Sequence, residues 1–373
     1  SQLSTLNFQF SMPQPLADLR VLDLTRLLPG PLGTMLLADW GADVLKIEHP
    51  DQPDPVRGFP PFVGGESAHY LSFNRNKRLL RLDYTSEAGK GELLDLVKTA
   101  DAVVEQFRPG YLDKLGLGYE AARAVNERII YVSVTGYGQT GPYAHRAGHD
   151  VNYLGLAGVL GLTGQPDGPP ELPGVQLADV AGGSYLTVIA LLAALYARQQ
   201  TGRGQHVDVS MTDGVMPLLA VPFAQWAATG QAPQRGKMPL SGGLVNYGLM
   251  PCAGGGYVAL GTLEPKFWHR FCEKIGRPDW LAFVFPKNSE ELNRGKEEVA
   301  ALFLTKTRAE WMAFGQQHDL PITPILDVNE LETDPHVQAR GMVVEVGGLK
   351  QLAAPLKFSA SGRPAYRPAP KSV

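Results

Sequence analysis

Along the first third of the chain, short apolar runs alternate with longer segments that carry apolar residues at helical spacing. Arg20–Leu24 (RVLDL), Asp43–Glu48 (DVLKIE), Leu79–Leu82, Ala102–Phe107 (AVVEQF) and Ile129–Val134 (IIYVSV) read as strands. Between them, Pro31–Trp40 reads as a helix, with Pro31 suited to a first turn and Gly41 to a C-terminal cap. Ser86 is placed to cap a helix over Glu87–Thr99, and Tyr119–Asn126 is a further helical stretch. Such alternation predicts an α/β fold, a mainly parallel sheet covered by helices in the doubly wound manner.

After Ala224 the texture changes. Residues 228–248 are rich in Gly, Pro and polar side chains. The glycines Gly254–Gly256 precede Tyr257–Leu260 (YVAL), which predicts a hairpin, and helices follow near Lys266–Ile275 and Glu290–Leu304. The division expected is a large domain over 1–224, a smaller α+β domain over 225–330, and a C-terminal segment, 331–373, returning to the large one.

Composition narrows the field. A chain of 373 residues, 44% hydrophobic and 19% charged, has the balance of a globular protein of two or three domains. A net charge of −3 favours neither nucleic acid nor an anionic membrane, so an anionic ligand must be met by local basic residues. The two cysteines, Cys252 and Cys272, make neither a disulfide framework nor a zinc site, and a reduced, cytoplasmic setting is expected. The opening SQLSTLNFQFSM has no basic region and no small-residue cleavage site, so no secretory signal is read there. The apolar run Tyr185–Ala197 is shorter than the ~20 residues a membrane span needs and reads as a buried helix.

Gly136-Tyr137-Gly138-Gln139-Thr140-Gly141 matches GxGxxG directly after a strand, but Pro142 follows the third glycine and no strand ending in an acid comes about 20 residues later. The glycines read better as places where backbone approaches another group closely.

Three acid–base candidates remain. His149, in AGHDVNY, stands just before a helix whose N-cap is assigned to Asp150; the positive end of the helix dipole favours a neutral imidazole there. Asp179, in QLADVAGGSYLTV, also precedes a long helix, and Gly182 and Gly183 leave its first turn without side chains, open to a negative oxygen. Glu264, in TLEPKFW, lies between a strand and a helix starting at Pro265. Each also has a plain reading, as a loop hydrogen bond, an N-cap and a first-turn acid. Scattered basic residues, Lys46, Lys77, Arg78, Arg108 and Lys114, are candidate phosphate contacts or simply solvated charges.

The segments LADLRVLDLTRLLPGPLGTMLLADWGADVLKIE, FNRNKRLLRLDY, VVEQFRPGYLDKLGLGYE, VTGYGQTGP and QLADVAGGSYLTVIALLAALYARQQTGRGQHVDVSMTDG, in this order, resemble the family III CoA-transferases. Gly148-His149-Asp150 and Glu264-Pro265-Lys266-Phe267 draw the resemblance toward that family's α-methylacyl-CoA racemase branch. It implies a Rossmann-like large domain, a homodimer of interlocked chains, an acyl-CoA substrate, and no metal or cofactor beyond the substrate's own CoA. It also implies CoA contacts near Leu27, Leu28, Lys46, Asn76, Lys77, Arg108, Lys114, Gly136 and Tyr137.

Two chemistries follow from that resemblance. In the racemase reading, the principal one, His149 assisted by Glu264 and Asp179 on the opposite face exchange the proton next to a 2-methylacyl thioester. In the alternative, Asp179 is a nucleophile that carries an acyl group as an anhydride while CoA moves between carboxylic acids. Position 266 is Lys where close racemases often have Gln.

Overall fold

The computed structural model describes residues 14–371; the N-terminal stretch read above as carrying no secretory signal lies outside the described residues. The chain forms two compact units. The larger takes the chain to Val159, Pro173–Leu218, and Pro335 onward; the smaller takes Leu160–Leu172 and Leu219–Asp334.

The larger unit is built on six parallel strands: β1 Arg20–Leu24, β2 Asp43–Glu48, β3 Arg78–Arg81, β4 Ala102–Glu105, β5 Ile130–Thr135 and β6 His206–Ser210. Their order across the sheet is β3-β2-β1-β4-β5-β6 and every neighbouring pair is parallel. This is the doubly wound, Rossmann-like arrangement expected, and the strands are apolar on both faces because helices cover both. On one face α2 (Glu87–Val97) and α3 (Tyr119–Val125) bury Leu93, Val97 and Ala122 against Leu22, Leu45, Val103 and Tyr131. Ser86 Oγ accepts the Gly89 N–H at 3.1 Å and caps α2 as expected. The other layer includes α1 (Pro29–Asp39), which begins two residues earlier than its sequence pattern indicates, because Pro29 also fits a first turn.

The apolar run is longer in the fold than in the sequence reading. A π-helical segment, Ala178–Tyr185, passes without a break into α5 (Leu186–Thr201), after α4 (Asp150–Leu156). The 24 residues together are long and apolar enough to cross a membrane by length and composition. The segment buries Val188, Leu191 and Ala194 on one face but leaves Tyr185, Ile189, Leu192 and Tyr196 exposed on another, so it is not the fully buried helix expected.

The C-terminal segment is tied to the sheet unit by buried polar bonds. Arg75 pairs with Asp39 at 2.7 Å and reaches Gln351 at 3.0 Å, and Asn76 exchanges backbone and side-chain bonds with Arg367. The smaller unit has a three-stranded antiparallel sheet, β7 Tyr247–Pro251, β8 Tyr257–Gly261 and β9 Ile322–Pro324, with the β7–β8 hairpin turning through Gly254–Gly256. Trp268, Phe271, Trp280, Phe303 and Trp311 fill its core.

Candidate functional site

Strand order reverses between β1 and β4, and in a doubly wound sheet ligands bind beyond the strand ends at that reversal. A cavity of about 450 Å³ opens there. Leu27 and Pro29 follow β1, Gln106–Pro109 follow β4, and Thr135–Tyr137 end and follow β5 in its wall. His149 and Asp179 both line it.

The loop after β1 is held from beneath by a buried charge network. Leu27 has a left-handed backbone (φ 64°), uncommon for a bulky side chain. Its N–H donates to Asp54 Oδ1 at 2.9 Å. Lys46 donates to the Thr25 carbonyl at 2.9 Å and pairs with Asp54 at 3.1 Å. Lys77 pairs with Asp23 at 2.8 Å and also donates to Asn74 Oδ1 and the Pro31 carbonyl. Burial pushes the Asp23 carboxyl up, but the ammonium groups of Lys77 and Lys46, with hydrogen bonds from Lys77 and Thr25, bring it below the ordinary carboxylate range.

The structure places several of the expected CoA contacts away from the cavity. Lys46, Asn76 and Lys77 are buried, turned into the protein and bonded to Asp54, Asp39 and Asp23. Neither they nor Leu28 and Lys114 belong to the cavity wall, while Leu27, Arg108, Gly136 and Tyr137 do. A lysine inside an apolar strand run, such as Lys46 in DVLKIE, is a buried partner for an acid elsewhere, and a sequence does not show that acid. Arg78 pairs with Asp43 on the surface.

The wall also holds residues the sequence reading missed. Gln106 Oε1 accepts the Gly30 N–H at 3.0 Å and fastens the loops after β1 and β4 to each other. Arg146 lies 3.8 Å over the Tyr143 ring; Tyr143 meets Tyr137 edge to face, and Tyr137 meets Tyr153 in the same way. Tyr153 donates to the Gly148 carbonyl. A side chain at Gly136 would enter the Tyr153 ring, so the first glycine of GxGxxG serves aromatic packing. Tyr153, four residues after His149 on one helix face, was the signal in the sequence that could have found this cluster.

The two principal acid–base candidates meet through a capping arrangement different from the one expected. His149 is itself the N-cap residue of α4, its N–H donating to Asn152 Oδ1 at 3.0 Å. Asp150 is the first helical residue, and its Oδ1 accepts the N–H groups of Ala178 (2.7 Å) and Asp179 (3.0 Å). Asp179 therefore lies inside the first turn of the π-helical segment, a geometry that recurs at functional sites. Burial pushes its carboxyl up to about 6, the Asp150 charge adds to the rise, and His149 opposes it.

Gly182 and Gly183 do not present open amides to a ligand, as expected from sequence. Both are buried: a Cβ on Gly182 would come within 2.4 Å of the Met211 carbonyl oxygen, and one on Gly183 within 2.7 Å of Pro29. They let α6 (Met211–Val215) and the start of α1 pack directly on the segment that carries Asp179. Glu264 belongs to the smaller unit, where it is exposed at the N-cap position of the helix Pro265–Lys274.

Residues 16–372 match the model of CoA-transferase family III. The chain is 35% identical to the acetyl-CoA:oxalate CoA-transferase of Acetobacter aceti, covering 96% of this chain and 92% of that protein. It is 34% identical to the succinate–glutarate CoA-transferase of Agrobacterium fabrum, with the same coverage, and 36% identical to the succinyl-CoA:mesaconate CoA-transferase of Haloarcula hispanica, over 94% and 89% of the two chains. Among solved structures, a CAIB/BAIF family protein from Brucella suis superposes with a TM-score of 0.83 at 33% identity, covering 96% of this chain and 97% of that one.

These relatives, each named a CoA-transferase, overturn the expectation of a 2-methylacyl-CoA racemase. The physical reason the motif misled is local. An imidazole beside Asp179 favours the ionised carboxylate, which a nucleophile needs as much as a base does, so Gly148-His149-Asp150 does not by itself separate the two chemistries. With a family match across nearly its whole length, the chain belongs to the family III CoA-transferases and is an enzyme of that kind.

Proposed function

We propose that the chain moves CoA between carboxylic acids, with Asp179 as the nucleophile, and that the acceptor is a dicarboxylic acid. The observation that carries the reading is the Asp179 carboxylate itself, part-buried, fixed through its own backbone N–H and opening into a cavity with two guanidinium groups. The named relatives act on oxalate, succinate, glutarate and mesaconate, all dicarboxylic.

The cycle is balanced without a metal or redox partner. The Asp179 carboxylate attacks the thioester carbonyl of the donor; the C–S bond breaks, leaving an acyl–aspartyl anhydride and the CoA thiolate. The thiolate attacks the aspartyl carbonyl, releases the donor acid as a carboxylate and leaves an aspartyl thioester. The acceptor carboxylate attacks that thioester, forming a second anhydride and freeing the thiolate again. Attack of the thiolate on the acceptor's acyl carbon gives the new acyl-CoA and restores Asp179.

Arg146 and Arg108 make no ion pair among the described residues and line the same cavity, so they are available to the second carboxylate of the acid and to a CoA phosphate. Lys46 and Lys77 act indirectly, by fixing the Leu27 loop. CoA is the only cofactor-like group in this reading and travels with the substrate. A homodimer belongs to the proposal as well: Tyr185, Ile189, Leu192 and Tyr196 form an exposed apolar stripe on one helix, of the kind that marks an interface.

The test is incubation with succinyl-CoA and a panel of mono- and dicarboxylic acids, followed by chromatography and by hydroxylamine trapping. The expected result is new acyl-CoA only when an acceptor is present, dicarboxylic acids being preferred, and a hydroxamate at Asp179. CoA transfer that persists in Asp179→Asn, or no transfer with any acid, would overturn it.

A further inference from the structure

Next to the main cavity, and sharing Arg108 with it, lies a second cavity of about 230 Å³, lined by residues of β4, β5 and β6. Three side chains from these adjacent strands form a chain of polar contacts. Glu105, the last residue of β4, is buried and lies in register beside Ser133 on β5, whose hydroxyl favours the ionised carboxylate. Ser133 Oγ lies 2.9 Å from His206 Nε2 on β6, and His206 is exposed. At the inner end, Glu105 Oε2 accepts the Phe107 N–H at 2.7 Å. Phe107 belongs to Gln106–Pro109, the β4 wall of the main cavity.

We propose that Glu105 is a protonation-dependent positioning residue: its proton, linked to solvent through Ser133 and His206, sets the hold on the Gln106–Pro109 wall and hence the affinity for CoA. The CoA part rests on the function proposed above; the hold on Phe107 does not.

The direction follows from the chemistry of the bond. A carboxylate accepts an amide N–H about twice as strongly as a neutral acid does. Ionised Glu105 therefore anchors the wall, and protonation loosens it. When Glu105 is ionised, the Ser133 hydroxyl donates to it and accepts from His206; when it is protonated, the direction of the chain reverses. Burial pushes the Glu105 carboxyl up to about 7, against the pull of the Ser133 and Phe107 hydrogen bonds, and Asp113 adds to the rise. The charged and titratable groups facing Glu105 are thus Asp113, Arg108 and Tyr131. Those facing His206 are Tyr119 and Tyr131, whose rings pack on it, and the acids Asp208, Asp113 and Glu120. Partial desolvation by those rings draws the imidazole down, although one edge stays open to solvent, and the three acids oppose it.

Two readouts test this: amide exchange at Phe107 in the ligand-free protein, and the CoA dissociation constant by calorimetry, both from pH 5.5 to 8.5. Phe107 protection should rise about threefold to tenfold through a midpoint near 7, after correction for base-catalysed exchange, and CoA should bind tighter over the same interval. Glu105→Gln should flatten the protection step, and should leave in the CoA curve only the titration of the ligand's own phosphates. Ser133→Ala removes a bond that favours the carboxylate, so it should move the midpoint upward; that shift decides the matter if Glu105→Gln does not fold. A flat wild-type profile, a step that survives in Glu105→Gln, or an unmoved midpoint in Ser133→Ala would overturn the proposal. A Phe107 step in a protein that binds no CoA would sink the functional reading and leave the Glu105 hold supported.

Discussion

Asp150 accepts the backbone N–H of Asp179 at 3.0 Å and that of Ala178 at 2.7 Å, so one acid fixes the other through its main chain. The same closeness makes Asp150 a source of negative charge that raises the Asp179 carboxyl. Asp150 thus fixes the position of Asp179 and adds to the rise in proton affinity that burial causes.

With its carboxyl at about 6, Asp179, the proposed nucleophile, is half protonated there and loses its charge below it. Transfer measured as kcat/KM should fall about tenfold per pH unit below pH 6 and be flat above it as far as this group is concerned. Asp150→Asn keeps an oxygen to accept both N–H groups but removes the charge. Its acid limb should move to lower pH, and an unmoved limb would show that Asp150 acts by geometry alone.

Asp179→Asn should lower turnover by at least about 10³-fold, as removal of a covalent nucleophile does. The Asp150 bonds go to backbone atoms and persist in the variant, so its melting temperature should stay close to that of the wild type. A large fall in melting temperature would instead assign Asp179 to the fold.

Lys77→Met should leave Asp23 buried without its cation and destabilise the protein by about 3–5 kcal/mol, read by denaturant unfolding. Asp23 has a depressed carboxyl, so its contribution is present above the unfolded-state value and is lost as pH falls through the folded one. The wild type should therefore lose this increment only in strong acid, and Lys77→Met should show no such increment.

Gly182→Ala should cost about 1–3 kcal/mol and reduce transfer, because the new methyl group meets the Met211 carbonyl oxygen at 2.4 Å and displaces the segment bearing Asp179. Unchanged stability and activity would show that α6 yields at that contact.

Light scattering at micromolar concentration should give twice the 40.3 kDa chain mass, and Ile189→Glu, in the exposed stripe, should shift the protein toward one chain. A wild-type mass of a single chain would remove the dimer from the proposal.

The sheet was legible in the sequence because its causes are local. RVLDL, DVLKIE and IIYVSV are strands on their own pattern, and Ser86 caps its helix through an atom three residues away. Asp179 and His149 were legible for a similar reason, each lying at a helix start. What only the tertiary structure decided was partnership. Lys46 and Lys77 looked like phosphate ligands because the acids that neutralise them, Asp54 and Asp23, lie 8 and 54 residues away along the chain. Asp150 looked like the cap of its own helix, yet its acceptor oxygen serves a segment 28 residues on. Gly182 and Gly183 looked open because nothing near them in sequence shows that Met211 and Pro29 close over them. A linear pattern specifies which residues are apolar, charged or flexible, but burial and pairing depend on contacts between distant segments, and these exist only once β1 through β6 lie side by side.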